Sequence, residues 1–289
     1  MANLFEIQDL SVTFRKDHQT IHAVDHVSFN IPKGQTVGVV GESGSGKTTT
    51  GRAIANIGPI TAGTVRYNGT DITSFSRAQV RDFRSKVQMV FQDPFAALNP
   101  RQKVGAIISE GLENFHIATG QQRQARVEAL LEEVGLPATS LNRFPHEFSG
   151  GQRQRIGIAR ALAVQPQFLV LDEPISALDV SIQAQIVNLL HDIQQRQQLT
   201  YLFIAHDLSM VRHISDQVIV MYQGRVMESG PTDLVYQHPL HPYTQALLSA
   251  VPHADPHFEH QKQIQYYHQQ EATGRLIERE PAHFVLTAS

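Results

Sequence analysis

The chain has no cysteine, which excludes disulfides, thiolate metal sites and iron–sulfur ligation by its own residues and fits a reducing compartment. It also lacks an excess of basic charge. With 24 Lys and Arg against 27 Asp and Glu, the formal net charge is -3 and the pI is near 6.6, so no positive field is available to hold DNA or RNA by its phosphates. No apolar run approaches the roughly 18 residues of a spanning helix, so any membrane served by this protein is crossed by other chains. The opening Met1-Ala2-Asn3-Leu4-Phe5-Glu6 lacks the basic start and apolar core of a signal peptide. No internal repeat is visible. What remains is an ordinary globular composition, 41% apolar over 289 residues, enough for one large domain or two smaller ones.

Against those absences stands one dense motif, GESGSGKT, from Gly41 to Thr48. It meets G-x-x-x-x-G-K-[ST] at every fixed position, with Gly41, Gly46, Lys47 and Thr48 in place. The apolar run Thr36 to Val40 precedes it, and Thr48 to Ile57 reads as a helix stopped by Gly58-Pro59. In that strand, loop and helix order the motif is a phosphate cradle: glycines turn backbone N–H groups inward and the helix adds the positive end of its dipole. The bland alternative is a Gly/Ser-rich connector. On the functional reading Gly41, Glu42, Ser43, Gly44, Ser45, Gly46, Lys47, Thr48 and Thr49 surround a nucleotide's polyphosphate, which the family resemblance given below identifies as that of ATP. Lys47 reaches the β- and γ-phosphates, and Thr48 ligates Mg²⁺.

Phe5 to Ile7, Val12 to Phe14 and Val24 to Ile31 alternate apolar and polar residues, as antiparallel half-buried strands do, and Gly63 to Ile72 continues the pattern through an Asn68-Gly69 hairpin signal. By contrast Val37 to Val40, Val87 to Phe91, Phe168 to Leu171, Tyr201 to Ala205 and Val218 to Met221 are continuous apolar runs suited to parallel strands covered on both faces. Val104 to Asn114, Gln121 to Val134 and Gly151 to Val164 have helical spacing, with breaks at Gly135-Leu136-Pro137 and Phe144-Pro145. Ile182, Ile186, Leu189 and Ile193 form a further helical stripe, read as core packing. The predicted fold class is α/β: a P-loop NTPase (RecA-like) three-layer core with an N-terminal antiparallel β layer and an inserted helical subdomain. Residues 1–92 and 165–230 form the core, with the antiparallel layer in 1–72; 93–164 is the insert, and 231–289 is a C-terminal extension, polar beyond Pro252.

Two more segments carry chemistry. Phe168-Leu169-Val170-Leu171-Asp172-Glu173 is an apolar strand ending in two acids; the bland alternative is a simple turn, and read alone the match is weak. Behind a P-loop it suits a site in which Asp172 holds Mg²⁺ and Glu173 orients and polarises the attacking water. Ser149-Gly150-Gly151-Gln152 opens a helix, and its plain reading is a capping box. Its functional reading uses the same donors, Ser149 Oγ and the bare amides, to meet a γ-phosphate. Since the chain already has a cradle at Gly41, a second anion site makes sense if it serves another molecule's nucleotide.

GESGSGKT, Gln92 after the strand Val87 to Phe91, FSGGQ from Phe148, LVLDEP from Leu169, SALD from Ser176 and His206 stand in the order of the ATP-binding cassette (ABC) ATPases, which the chain resembles from about Asn3 to Gly230. The resemblance implies a head-to-tail dimer in which each ATP lies between one subunit's P-loop and its partner's FSGGQ segment. It further implies that Phe14 stacks on adenine, that Gln92 touches Mg²⁺ and relays to a membrane partner, that Asp179 bridges the subunits and that His206 contacts the γ-phosphate. The family's usual signature begins with Leu where this chain has Phe148, an apolar exchange expected to spare activity.

FQDPFAALNPR from Phe91, PHEFSGGQRQRIGIARAL from Pro145 and HPLHPYTQALLSAVP from His238 resemble the oligopeptide and dipeptide importer branch. Many members of that branch carry a C-terminal cysteine cluster. This chain resembles the cysteine-free second type of ATPase subunit, ending in Pro281-Ala282-His283-Phe284-Val285-Leu286. The implied partners are a second, different ATPase subunit, two membrane permease subunits and an external substrate-binding protein, with this chain on the cytoplasmic face of the cell membrane. Nickel importers are similar relatives and give the nearest alternative. A soluble cassette protein acting on DNA or ribosomes is disfavoured by the acidic balance, the lack of sustained heptads between Lys47 and Ser149 and the single cassette. A P-loop kinase has no use for Ser149 to Gln152. His253, His257 and His260 are loosely spaced and read as part of a solvated tail rather than a metal site.

Overall fold

Alternation of apolar residues builds the first sheet. In the computed structural model, which describes residues 2–16, 19–93, 97–251, 265, 267 and 274–287, β1 (Asn3–Lys16) and β2 (Gln19–Pro32) form a long antiparallel pair. Phe5, Ile7, Leu10 and Val12 of β1 and Val24, Val27 and Ile31 of β2 are buried. After β3 (Thr36–Val40), which belongs to a different sheet, β4 (Ala62–Tyr67) pairs with β1 and β5 (Thr70–Asp71) with β4, giving the order β2-β1-β4-β5. The turn between the last two is Asn68-Gly69 at φ 47° and 80°, the left-handed pair that a two-residue hairpin requires.

The chain divides into two units, residues 1–73 with 203–289, and residues 74–202. The first contains the antiparallel sheet, α1 (Lys47–Ile54), and β3 running parallel to β9 (Gln217–Tyr222) from Val37 opposite Gln217 to Val40 opposite Val220. β10 (Arg225–Pro231) returns antiparallel to β9. In the second unit α2 (Arg77–Lys86) leads into β6 (Val87–Val90), which lies parallel to β7 (Phe168–Asp172) with Val87 opposite Phe168. Between them come α3 (Val104–Asn114), α4 (Gly120–Glu133) and α5 (Gly150–Leu162). α6 (Val180–Gln197) follows, then β8 (Thr200–Ile204) beside β7, its last two residues already in the first unit. Every residue of β3, β7 and β8 is buried, the physical reason these strands are apolar without alternation. The mixed α/β architecture, with an N-terminal antiparallel sheet and parallel pairing around the P-loop strand, is that of a P-loop NTPase.

Two helical expectations need correction. The helix read from Thr48 to Ile57 is shorter, ending at Ile54, because Asn56 turns left-handed (φ 54°) and the N–H groups of Ile57 and Gly58 both fold back onto the Arg52 carbonyl. The stop is made before the Gly58-Pro59 pair is reached. On α6 the buried face is Ile186, Val187, Leu190, Ile193 and Gln194, while Ile182 and Leu189 are only half-buried. The stripe is rotated from the one read in the sequence, and Ile182 instead lies against the start of α5, its Cγ2 2.5 Å from the position a Cβ on Gly151 would take.

The chain's end is not all tail. α7 (Leu208–Ile214) lies against β3, and after β10 come α8 (Thr232–Gln237) and α9 (Pro242–Ala250). β11 (Arg275–Glu280) and β12 (His283–Thr287) then form a hairpin, and β12 pairs with β10 at Glu228 opposite Val285 and Ser229 opposite Phe284. His253, His257 and His260 lie outside the described residues. Among the described residues no helix is long and apolar enough to cross a membrane.

Candidate functional site

The P-loop's shape is set by close approaches that only glycine allows. At Gly41 (φ 147°) a Cβ would stand 2.1 Å from the Met221 carbonyl oxygen, and at Gly46 (φ 99°) 2.3 Å from that of Ala23. Gly46 is the left-handed N-cap of α1 and carries no side-chain acceptor, so the helix start is left to backbone donors. Lys47 is buried, and its Nζ donates to the carbonyls of Gly41 (2.8 Å) and Glu42 (2.7 Å) and to Ser45 Oγ (3.4 Å). The ammonium is thus folded across the loop. Glu42, Ser43 and Gly44 are exposed at the tip, while Thr48 and Thr49 are half-buried in the first turn of α1. The loop's far end is pinned by the Gly224 N–H on the Ser45 carbonyl (3.1 Å), and the Gly224 carbonyl in turn accepts the Asp25 N–H (2.8 Å).

His206 follows β8 and joins this loop: its Nδ1 is 3.1 Å from the Gly41 carbonyl oxygen. A carbonyl only accepts, so Nδ1 carries the proton in this contact. Phe14 presents a 43% exposed ring on β1, opposite Ile21 in the strand pairing.

The second unit brings together Gln92 and Glu173, which are 81 residues apart in sequence: Gln92 Nε2 donates to Glu173 Oε2 at 2.5 Å. Asp172 closes β7 and is 2% exposed; Glu173 is buried as well and sits in the left-handed region at φ 48°, a strained conformation for a carboxylate residue. Ser176 Oγ donates to the Glu173 carbonyl at 3.1 Å, holding the turn after the strand. Asp179 is the exposed N-cap residue of α6, with no side-chain capping bond, followed by a 75% exposed Val180.

Ser149 to Gln152 form the expected capping box, Ser149 Oγ accepting the Gln152 N–H at 3.4 Å and Gln152 Oε1 the Ser149 N–H at 3.0 Å. Phe148 is buried under the Arg143 guanidinium, 4.3 Å from the ring centroid, so the Phe in place of Leu is accommodated by a cation–π contact. Arg153 fixes the approach to the helix by donating to the carbonyls of Pro145 (2.7 Å) and His146 (3.2 Å).

These groups fit a magnesium nucleotide by their chemistry. Gly44 has no atom within 4 Å of the position its Cβ would take, which leaves the tip open to a ligand; in the first unit the Thr48 hydroxyl, and in the second the Gln92 amide and Asp172 carboxylate oxygens, are each hard donors of the kind Mg²⁺ takes. Sequence reasoning missed the left-handed Glu173 and the contacts behind the P-loop. For the latter the sequence marks only a helix start at His241-Pro242, not the partner of the Tyr243 that follows, which is 1% exposed.

A family profile described as "ABC transporter" matches residues 24–176, and a second, "Oligopeptide/dipeptide transporter, C-terminal region", matches residues 227–274. The oligopeptide transport ATP-binding protein OppF of Bacillus subtilis is 53% identical over 291 residues, covering 98% of this chain and 95% of that protein. The dipeptide transport ATP-binding protein DppF of Lactococcus lactis is 53% identical over 290 residues, covering 98% and 93%. Among solved structures, a dimeric post-hydrolysis state of an ATP-binding cassette bound to ADP and Pi superposes with a TM-score of 0.72 at 27% identity, covering 79% of this chain and 98% of that one.

Proposed function

This chain belongs to the ABC transporter family, and we propose that it is the ATP-hydrolysing subunit of an importer of oligopeptides or dipeptides. The observation that carries the reading is the succession, in one chain, of the ABC transporter region and the oligopeptide/dipeptide transporter C-terminal region. The names of the relatives from Bacillus and Lactococcus support it.

In this reading Gly41 to Thr49 cradle the phosphates, Lys47 reaches the β- and γ-phosphates, and Phe14 stacks on adenine. Thr48, Gln92 and Asp172 would hold Mg²⁺, which would supply positive charge against the negative charge that develops on the phosphates during transfer. Glu173 takes a proton from water as the water oxygen attacks the γ-phosphorus; the bond to the bridging oxygen breaks and ADP leaves. The 2.5 Å bond from Gln92 places an amide on that carboxylate, so Gln92 is suited to sense whether the base is engaged. His206, anchored to Gly41 through Nδ1, meets the γ-phosphate with its other nitrogen.

Ser149 to Gln152 serve a partner's ATP in a head-to-tail dimer, with Asp179 between the subunits. That a cassette of this fold is dimeric in its ADP- and Pi-bound state supports the pairing of two ATPase subunits. Residues 1–92 with 165–230 then act as the nucleotide-binding core, 93–164 as the signature-bearing insert and 231–289 as the extension particular to this branch. A second, different ATPase subunit, two permease subunits and an external peptide-binding protein complete the importer, with this chain on the cytoplasmic face of the membrane. Affinity purification of the tagged chain from membranes, with its partners identified, tests the reading. Recovery of permeases and a peptide-binding protein is expected; a partner set without a cargo-binding protein overturns import.

A further inference from the structure

The C-terminal region contains a continuous set of buried contacts that the proposed catalysis does not use. Glu228, in β10, is 0% exposed, and its carboxylate is satisfied without lysine or arginine. Oε1 meets His283 Nε2 at 2.7 Å and accepts the Leu240 N–H at 2.9 Å; Oε2 accepts the His241 N–H at 2.8 Å. His283 is itself 0% exposed on β12, with Nδ1 3.4 Å from Glu280 Oε2. One carboxylate therefore ties β12 to β10 and both to the start of α9. There His241 Nδ1 accepts the Tyr243 N–H at 3.1 Å, capping the helix.

Tyr243 carries the chain of contacts to the P-loop. Its ring packs on Tyr222 with centroids 4.5 Å apart, and its Oη accepts the Glu42 N–H at 3.2 Å. That N–H and the Gly41 carbonyl lie on one rigid peptide plane. The carbonyl edge accepts Lys47 Nζ at 2.8 Å and meets His206 Nδ1 at 3.1 Å. The plane is therefore gripped on both edges, by Lys47 and His206 on one and by Tyr243 on the other. If the plane turned, both of those side chains would lose the carbonyl that aims them. Burial raises the Tyr243 hydroxyl well above its ordinary value, with Glu42, Tyr222 and Tyr267 acting in the same direction and the Glu42 N–H against it, so it stays a neutral hydroxyl.

We propose that Tyr243 is a positioning residue for the nucleotide site: its hydroxyl fixes the Gly41–Glu42 peptide and, through it, Lys47 and His206, while the Glu228–His283 pair holds the helix that delivers it. The inference rests on the P-loop reading given above, and it assigns the C-terminal region a task at the phosphate cradle. Tyr243→Phe keeps the ring and removes the hydroxyl. Calorimetric titration of the full-length variant with magnesium ATP should give a Kd raised roughly fivefold, the worth of one net hydrogen bond, at unchanged stoichiometry. A merely structural role would lower the fraction of competent protein and leave Kd alone. Amide hydrogen exchange on the wild-type chain adds a test independent of the variant: the Glu42 N–H should be protected without nucleotide, and should exchange several-fold faster in Tyr243→Phe. An unchanged Kd, or an unprotected Glu42 amide in the wild type, overturns the proposal. Lys47→Ala in the same titration separates the two levels. Normal ATP binding by that variant defeats the P-loop reading, whereas loss of binding beside a wild-type Kd for Tyr243→Phe defeats the Tyr243 inference only.

Discussion

Two helices of this protein begin beside glycines at segments suited to phosphate, and they begin in opposite ways. α1 starts from a left-handed Gly46 with no side-chain cap, and the loop before it is held from behind by backbone and buried groups. α5 starts from Ser149, which closes a reciprocal capping box with Gln152. The first start keeps its donors clear of side-chain competition, so an anion meets a cradle already shaped. The second satisfies itself. Its weaker member, Ser149 Oγ to the Gln152 N–H at 3.4 Å, is the bond a phosphate from a partner would most easily displace. On the proposed reading, a cradle that binds in the isolated chain and a surface that acts only when a partner arrives would call for different caps.

The comparison can be broken at graded cost. Glu173→Gln keeps both helix starts and removes the carboxylate proposed as the base, so ATP binding should persist while turnover of the assembled complex falls on the order of a hundredfold to ten-thousandfold. Undiminished turnover would remove Glu173 from the chemistry. Lys47→Ala strikes the first start alone, and equilibrium titration should show ATP affinity reduced about a hundredfold, the worth of a lost charge-assisted contact. Ser149→Ala strikes the second. The cap's loss should cost about 1 kcal/mol in denaturant unfolding, and ATP binding by the monomer should stay unchanged while turnover in the dimer drops. Altered monomer affinity would erase the contrast between the two helices.

The smallest effect concerns the helix that reaches the P-loop. Burial lowers the affinity of His241 for a proton, against the opposing pull of Glu228, and Nδ1 must be unprotonated to cap Tyr243. A folded pKa below the unfolded value means the unfolded chain binds more protons. This contribution is therefore present above the ordinary imidazole value of 6.5 and is lost as pH falls through that value toward the folded one. His241→Asn supplies an acceptor that does not titrate, so thermal unfolding of that variant should decline less between neutral and mildly acidic pH than that of the wild type.

Much of the fold was legible because its signals are local. The continuous apolar runs became the parallel strands, the alternating ones the antiparallel sheet, and Asn68-Gly69 its hairpin. Boundaries were less legible: α1 stops at a left-handed Asn56, which nothing in the residue's identity demands over the Gly58-Pro59 pair that follows. The C-terminal hairpin was illegible as a sheet element because its strands are short and the chain before them is polar.

By itself, the sequence determined the P-loop motif, the two acids after the strand, the self-capped serine helix and the branch to which they belong. These depend on spacings of a few residues, where backbone geometry leaves little choice. Only the tertiary structure decided that Gln92 rests on Glu173, that Glu173 is held left-handed, that His283 meets Glu228 and that Tyr243 steadies Glu42 from 201 residues away. Each of these depends on a packed sheet bringing distant segments within hydrogen-bond reach, and no local spacing encodes that.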